Sequence, residues 1–348
     1  MDISVIIITS PSSAHPSTLL IDSVLASLHY ITGLVHDQLP IHIILDGYIL
    51  REEAVDNRTH ITYANSVRYK RGIINREIET KYNAYYSSLC DKYKDKCSIH
   101  KLSSHYGFAK AVEYGLRLCS TTFALLLQHD RMFCRPFHSL ASILNTMRKN
   151  THIRYVGFPS SCSSNHRRVI ECSYGLHSLN ISHTLEVEEA PELQLQPLIF
   201  WYDSQHIAHV SRYLEIFSPY LHLPPSLRAL LTKPFINKMR LRKGDFIEDR
   251  FGQCQRNAIS KYYIKDGKLS AEGVALFEWF GSYLIWDHMD SFLLQDGSGG
   301  IDYTKRTQEY VLHLRGRSHD ESRVADTVRR NLEVLEDLRP GITDEVLL

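Results

Sequence analysis

The residues best suited to chemistry stand where an apolar run stops. Phe123-Ala124-Leu125-Leu126-Leu127 gives way directly to Gln128-His129-Asp130. A run of that length, bounded by polar residues, predicts a strand covered on both faces of a parallel sheet. In open α/β sheets, ligands bind outside the carboxyl ends of such strands. Asp130 is thereby placed where a carboxylate can hold a hard cation against phosphate oxygens. Just upstream, Tyr106-Gly107-Phe108-Ala109-Lys110-Ala111 opens a stretch with helical spacing that runs to Leu118. Together the two segments point to a nucleotide-diphosphate ligand.

Each candidate also has a plainer role. An Asp at a strand end can simply cap the next turn, and Asp46-Gly47 is an ordinary turn signal. Gly107 reads equally as a turn glycine and Lys110 as a solvated helix charge. Glu248 and Asp249, in Phe246-Ile247-Glu248-Asp249-Arg250, suit the first turn of a helix, where acids complement the dipole. A lone His beside aromatics, such as His288 in Trp286-Asp287-His288-Met289-Asp290, is usually a hydrogen-bonded structural residue. The chain carries neither G-x-G-x-x-G nor G-x-x-x-x-G-K-[ST], which disfavours dehydrogenases and P-loop enzymes.

The elements that must position these groups alternate through the first half. Strands are expected at 3–9, 41–45, 98–102, 123–127 and 153–158, with helices at 17–30, 77–93, 108–118 and 137–148. That alternation indicates βαβ units and a parallel sheet. Beyond about residue 160 the pattern loosens into polar, Gln- and Pro-bearing stretches. A basic stretch covers 233–243, and 318–338 reads as a charged helix ended by Pro340-Gly341. The expected organisation is a nucleotide-binding half at 1–160 and an acceptor-binding, catalytic half at 161–317 packed on the same sheet. A charged terminal helix and tail follow at 318–348.

Composition narrows the class. Forty Lys and Arg against 39 Asp and Glu leave a formal net charge of +1, so no global field favours nucleic acid or an anionic membrane. The seven Cys are scattered without a C-x-x-C, which fits neither a zinc ribbon nor a disulfide framework and suggests reduced thiols in the cytoplasm. The apolar start, Met1 to Ile8, is short and lacks a basic leader, so it reads as a strand and not a signal peptide. No run approaches the roughly 18 apolar residues of a membrane span. Peripheral association with a membrane stays open.

In the order of these motifs the chain resembles the nucleotide-diphospho-sugar glycosyltransferases of the GT-A type, nearest to the inverting ones. The resemblance implies a Rossmann-related, mostly parallel α/β sheet flanked by helices, with an irregular acceptor-side half. It implies that Asp46 touches the nucleoside, that Gly107 and Lys110 lie near the diphosphate, and that an Asp-x-Asp element binds Mn or Mg. Gln128-His129-Asp130 lacks the first carboxylate of that element and leaves Asp130. The resemblance further implies that Asp249, with Glu248, takes the proton of the acceptor hydroxyl on a glycan, lipid or protein. It offers His288 as a late metal ligand and Trp201-Tyr202-Asp203 as part of an acceptor wall. Two rivals remain at this point. One is a degenerate fold of this type kept for binding or scaffolding. The other is a sugar nucleotidyltransferase, disfavoured because Ser10 to Pro16 lacks a Gly-rich, basic loop.

Overall fold

The computed structural model describes residues 2–34, 39–51, 71–133, 135–160, 163, 166, 170, 183–261, 269–287 and 311–313. Its strands are β1 (Ile3–Thr9), β2 (Ile41–Leu45), β3 (Ile49–Leu50), β4 (Ile73–Ile74), β5 (Ser98–Lys101), β6 (Phe123–Gln128), β7 (Arg131–Phe133), β8 (Tyr155–Gly157), β9 (Leu185–Glu186), β10 (Leu193–Pro197), β11 (His206–His209), β12 (Ser282–Asp287) and β13 (Val311–His313). The longer helices of the first half are α1 (Leu19–Ala26), α2 (Arg76–Tyr93), α3 (Phe108–Leu118) and α4 (Leu140–Lys149).

Nine strands form one central sheet in the order β5-β2-β1-β6-β11-β8-β12-β10-β9. The block β5-β2-β1-β6 is parallel throughout. β11 runs against both β6 and β8, β8 and β12 are parallel, and β10 opposes both β12 and β9. Only β11 and β10 therefore point the other way, and the fold is mixed α/β with a mostly parallel central sheet flanked by helices. All seven residues of β1 are buried, as a strand covered on both faces requires. Its run of β-branched Ile and Val suits that pleated, doubly packed position.

Local chemistry sets the helix boundaries. Asn75 Oδ1 accepts from the Ile78 amide at 2.9 Å and starts α2, an N-cap that satisfies one of the orphan donors of the first turn. α3 buries Ala109, Ala111, Val112, Gly115 and Leu116 and packs against β1 and β2. Its opposite side carries Lys110, Glu113 and Arg117, which pair with one another.

The chain order within the sheet matters for function. From β1 the chain steps outward through β2 to β5, then returns to the other side of β1 as β6. The crevice between the carboxyl ends of β1 and β6 is thus a topological switch point, where open α/β sheets bind ligands. Among the described residues, no helix is long and apolar enough to cross a membrane. The expected terminal helix at 318–338 lies outside the described residues.

Candidate functional site

Four segments meet along the edge that carries the switch point. The first is the loop after β1. Its His15 is buried, stacks on Tyr85 with ring centroids 4.1 Å apart, and bonds through Nε2 to the Ser10 carbonyl at 3.1 Å. Burial pushes this His down to about 3, so it is neutral. The second segment is the end of β2. Asp46 is buried, and its carboxylate accepts from the backbone amides of Tyr106 at 2.7 Å and Gly107 at 2.9 Å. His105 Nδ1 lies 2.8 Å from the same carboxylate, and the Asp46 carbonyl accepts from the Tyr82 hydroxyl at 2.8 Å.

Two glycines are required by how closely backbones approach here. A Cβ on Gly47 would stand 2.3 Å from the Ser104 carbonyl carbon. Gly107 has φ +80° and would drive a Cβ to within 2.6 Å of Gly244, a conformation and a contact that only glycine tolerates. Gly107 is therefore the point where the turn before α3 touches the acceptor half. The Gly244 amide donates to the Tyr106 carbonyl at 2.7 Å and Ala109 donates to the Asp245 carbonyl at 3.1 Å. Lys110, expected near a diphosphate, is paired with Glu113 at 2.6 Å and lies over the Phe217 ring.

The third segment is the turn from β6 to β7. His129 donates its amide to Ile8 at 3.1 Å, which ties the turn back to β1. Asp130 sits in this turn, half-buried. Gln128 and Arg131, which bracket this turn, link it to the acceptor half, where Gln205 Nε2 donates to the Arg131 carbonyl. Gln128 Nε2 donates to the Asp203 carbonyl, and Arg131 Nε donates to Gln128 Oε1 at 3.3 Å. Across from β7 lies β13, with His313 in register with Arg131. Among the described residues, the backbone of His313 thus lies beside the Asp130 turn. His288 lies outside the described residues.

The fourth segment is the acceptor-side acid cluster. Asp203 and Glu248 exchange bonds: each carboxylate accepts from the other's backbone amide at 3.2 Å. Glu248 and Asp249 begin a π-helical turn, Glu248–Gly252, a geometry often found at functional sites. An aromatic core fixes that turn. Trp201 is fully buried against Tyr155, Tyr213 and Phe251, with centroids 4.7, 5.1 and 5.3 Å away. Trp201 is accordingly core and not acceptor wall, whereas Asp203, two residues on, reaches the site. Asp249 is exposed.

Burial, then the neighbouring charges of Glu248 and Asp249, push the Asp203 carboxyl well above the usual range, against the pull of the Glu248 amide and Arg131. Its Oδ1 is buried without a partner, a position far costlier for an anion than for an acid. Asp203 thus prefers to hold a proton. The sign of the pH effect follows. Between about pH 4, where the unfolded carboxyl titrates, and its raised folded value, the folded state binds the extra proton. Stability therefore falls as pH rises through that window. Asp203→Asn copies the protonated form, so its melting temperature should overtake wild type as pH rises from 4 to 8. Parallel thermal melts of both proteins across that range check this.

Sequence reasoning used Asp203 only as a neighbour of Trp201. Its pairing with Glu248 spans 45 residues of chain, and no local pattern announces it. Among the described residues, no group of three or more His, Cys, Asp or Glu could hold a metal ion. A Mg or Mn ion that keeps phosphate oxygens and water in its shell needs only one or two protein carboxylates.

No protein-family model and no curated protein sequence matches this chain. Among solved structures, it is similar to S. aureus TarS 1-349, with 11% identity, a TM-score of 0.33, and coverage of 82% of this chain and 58% of that one. The same protein in complex with UDP-GlcNAc gives 12% identity and a TM-score of 0.31 over 61% of this chain and 46% of that one. Its UDP complex gives 11% identity and a TM-score of 0.31, over 82% of this chain and 57% of that one. The chain thus spans under two thirds of the length of these structures. Likenesses of this extent do not decide function, which has to come from the site itself.

Proposed function

We propose that this chain is a nucleotide-sugar glycosyltransferase of the GT-A type, moving a sugar from a nucleoside-diphosphate donor to a hydroxyl acceptor, with inversion. The observation that carries the proposal is the Gln128 bridge. It joins the Asp130 turn, at the switch point, to the Asp203–Glu248 pair of the acceptor half. A donor-side carboxylate and an acceptor-side carboxylate are thereby held along one edge, as transfer between two bound substrates requires.

In this proposal Asp130 holds a divalent cation, which when bound would neutralise charge growing on the leaving diphosphate. Asp249 takes the acceptor proton, because it is the exposed member of its pair, whereas Glu248 is occupied with Asp203. Asp46 acts by shaping the nucleoside side of the crevice, since its carboxylate is already committed to the 105–107 turn. Lys110 has to leave Glu113 to reach a diphosphate. The proposed acceptor is a hydroxyl on a glycan, lipid or protein, and the proposed setting is the cytoplasm. The expected halves, 1–160 and 161–317, would supply donor and acceptor sides of the one sheet.

The test is a thermal-shift screen of UDP, GDP, CMP and their common sugars, with and without Mn, on wild type and Asp130→Ala. One nucleotide should raise the melting temperature in a metal-dependent way. At a hundredfold excess over Kd, the stabilisation amounts to about 2.7 kcal/mol, and the variant should lose it. Stabilisation that ignores metal removes Asp130 as a ligand, and silence from every nucleotide moves the chain to the non-catalytic alternative. Donor binding without turnover over a broad acceptor panel would favour that alternative as well.

A further inference from the structure

Residues 219–243 contain six Lys and Arg, namely Arg228, Lys233, Lys238, Arg240, Arg242 and Lys243, and no Asp or Glu. In a chain whose overall charge is nearly balanced, that is a strong local excess. Three short helices build the segment: Pro219–His222, Pro225–Leu230 and Lys233–Met239. Their inward residues Leu223, Leu227, Leu231, Ile236 and Met239 are buried, so the segment is seated on the core and its cations turn outward. Lys233, Lys238, Arg240, Arg242 and Lys243 are all exposed.

Nearby acids do not neutralise them. Glu215 is paired with Arg154, Glu113 with Lys110 and Arg117, and Asp245 with Arg250 at 2.6 Å. Among the described residues, no ion pair engages Lys233, Lys238, Arg240 or Arg242. The helix Pro219–His222, which packs against Lys233–Met239, exposes Tyr220 and Leu221, 50% and 73% accessible. Arg228 braces that helix by donating to the Leu223 carbonyl at 2.9 Å while its guanidinium lies 5.3 Å over the Tyr220 ring.

From these observations we infer that residues 219–243 form a docking surface for an anionic lipid bilayer, with Leu221 and Tyr220 entering the headgroup region and the flanking cations lying on it. A cationic face that also projects an aliphatic and an aromatic side chain matches a bilayer interface, where charge attracts and apolar groups insert. A nucleic acid would use the charge, but an exposed aliphatic side chain beside it matches a lipid headgroup region better than a phosphate backbone. The geometry also gives the contact a purpose. The helix Lys233–Met239 packs on the Glu248–Gly252 turn, and Gly244 joins the basic stretch to the turn before α3. Docking there would hold the Asp249 end of the site at a membrane, facing acceptors presented by it. The inference stands on the surface alone and does not require the transferase reading.

Co-sedimentation of the full chain with vesicles tests it. Binding is expected to phosphatidylcholine vesicles containing 30% phosphatidylglycerol, to be lost in pure phosphatidylcholine, and to fade at 0.5 M salt as screening sets in. Each Lys or Arg near such a surface is worth roughly fivefold. Lys233→Gln with Lys238→Gln and Arg240→Gln should therefore weaken binding by roughly two orders of magnitude. Leu221→Ser should weaken it by roughly tenfold. All four positions are exposed, and unchanged melting curves would confirm that the variants are folded. Equal binding to neutral vesicles, or undiminished binding by the triple variant, overturns the inference. So does tighter capture by heparin or single-stranded RNA with Leu221→Ser silent, which would make the surface a site for soluble polyanions.

Discussion

Asp249→Asn should lower turnover by roughly 10²- to 10⁴-fold, the range lost when a positioned general base is removed, while leaving the melting temperature unchanged. The expected separation of activity from stability rests on exposure. Asp249 faces solvent at the start of the π-helical turn. Losing its charge forgoes a helix-dipole interaction of about 0.3–1 kcal/mol and also eases repulsion on Asp203, so the two effects oppose each other. Donor binding should survive, because Asp249 lies in the acceptor half and not in the Asp130 turn. The measurement is initial rate with the donor identified by thermal shift, run beside a melting curve and a donor-binding isotherm.

Glu248→Gln is the informative control. Gln keeps an oxygen that can accept from the Asp203 amide, and it removes one of the charges acting on Asp203. Its expected effect on turnover is smaller than that of Asp249→Asn, and it should relieve repulsion in the cluster. If Glu248→Gln abolishes turnover while Asp249→Asn is mild, the two carboxylates exchange roles and the proposed base is wrong. If both are mild, no base resides in this pair.

Much of the first half was legible because its elements are locally determined. β1, β2 and α3 fall at the expected residues, since Ile3–Thr9 and Ile41–Leu45 are apolar apart from Ser4, Thr9 and His42 and α3 has a clear buried face. The helix expected over 17–30 divides into α1 and a 3₁₀ turn at Ser27–Tyr30, where Ser27 bonds back to the Val24 carbonyl at 2.7 Å. Side-chain bonding to the backbone of that kind competes with α-helix. The second half was harder because two of its strands, β10 and β11, are interrupted by polar residues. β11 is His206-Ile207-Ala208-His209 and β10 carries Gln194 and Gln196. Buried polar groups are tolerated when hydrogen-bonded. For His206 the partners are the Ser204 carbonyl at 2.6 Å and Tyr213 at 3.1 Å, which no apolar pattern reveals. The site divides in the same way. Asp130 was visible as the end of an apolar strand, whereas the Asp203–Glu248 exchange and the approach of β13 to β7 arise only from tertiary contacts.

Asp46 carries the largest expected effect on stability, although its sequence signature is an ordinary Asp-Gly turn. Asp46→Ala would leave the Tyr106 and Gly107 amides without acceptors and His105 without its carboxylate. Each buried donor stripped of its partner costs about 1–3 kcal/mol, and more when the acceptor it loses is a carboxylate. The effects overlap, so the expected loss is roughly 3–5 kcal/mol and the melting temperature should fall by roughly 6–15 °C. Asp46→Asn tests whether acceptor capacity, and not side-chain volume, is responsible. Its amide could serve one backbone N–H but would present a donor to the other, so it should recover little of the loss. Urea unfolding of wild type and both variants checks this, with a shift in midpoint at constant slope marking a true stability change. A near-neutral Asp46→Asn would show that the 105–107 turn holds without the carboxylate. The turn would then owe its place to Gly47, Gly107 and Gly244, and Asp46 would be free for direct contact with a nucleoside.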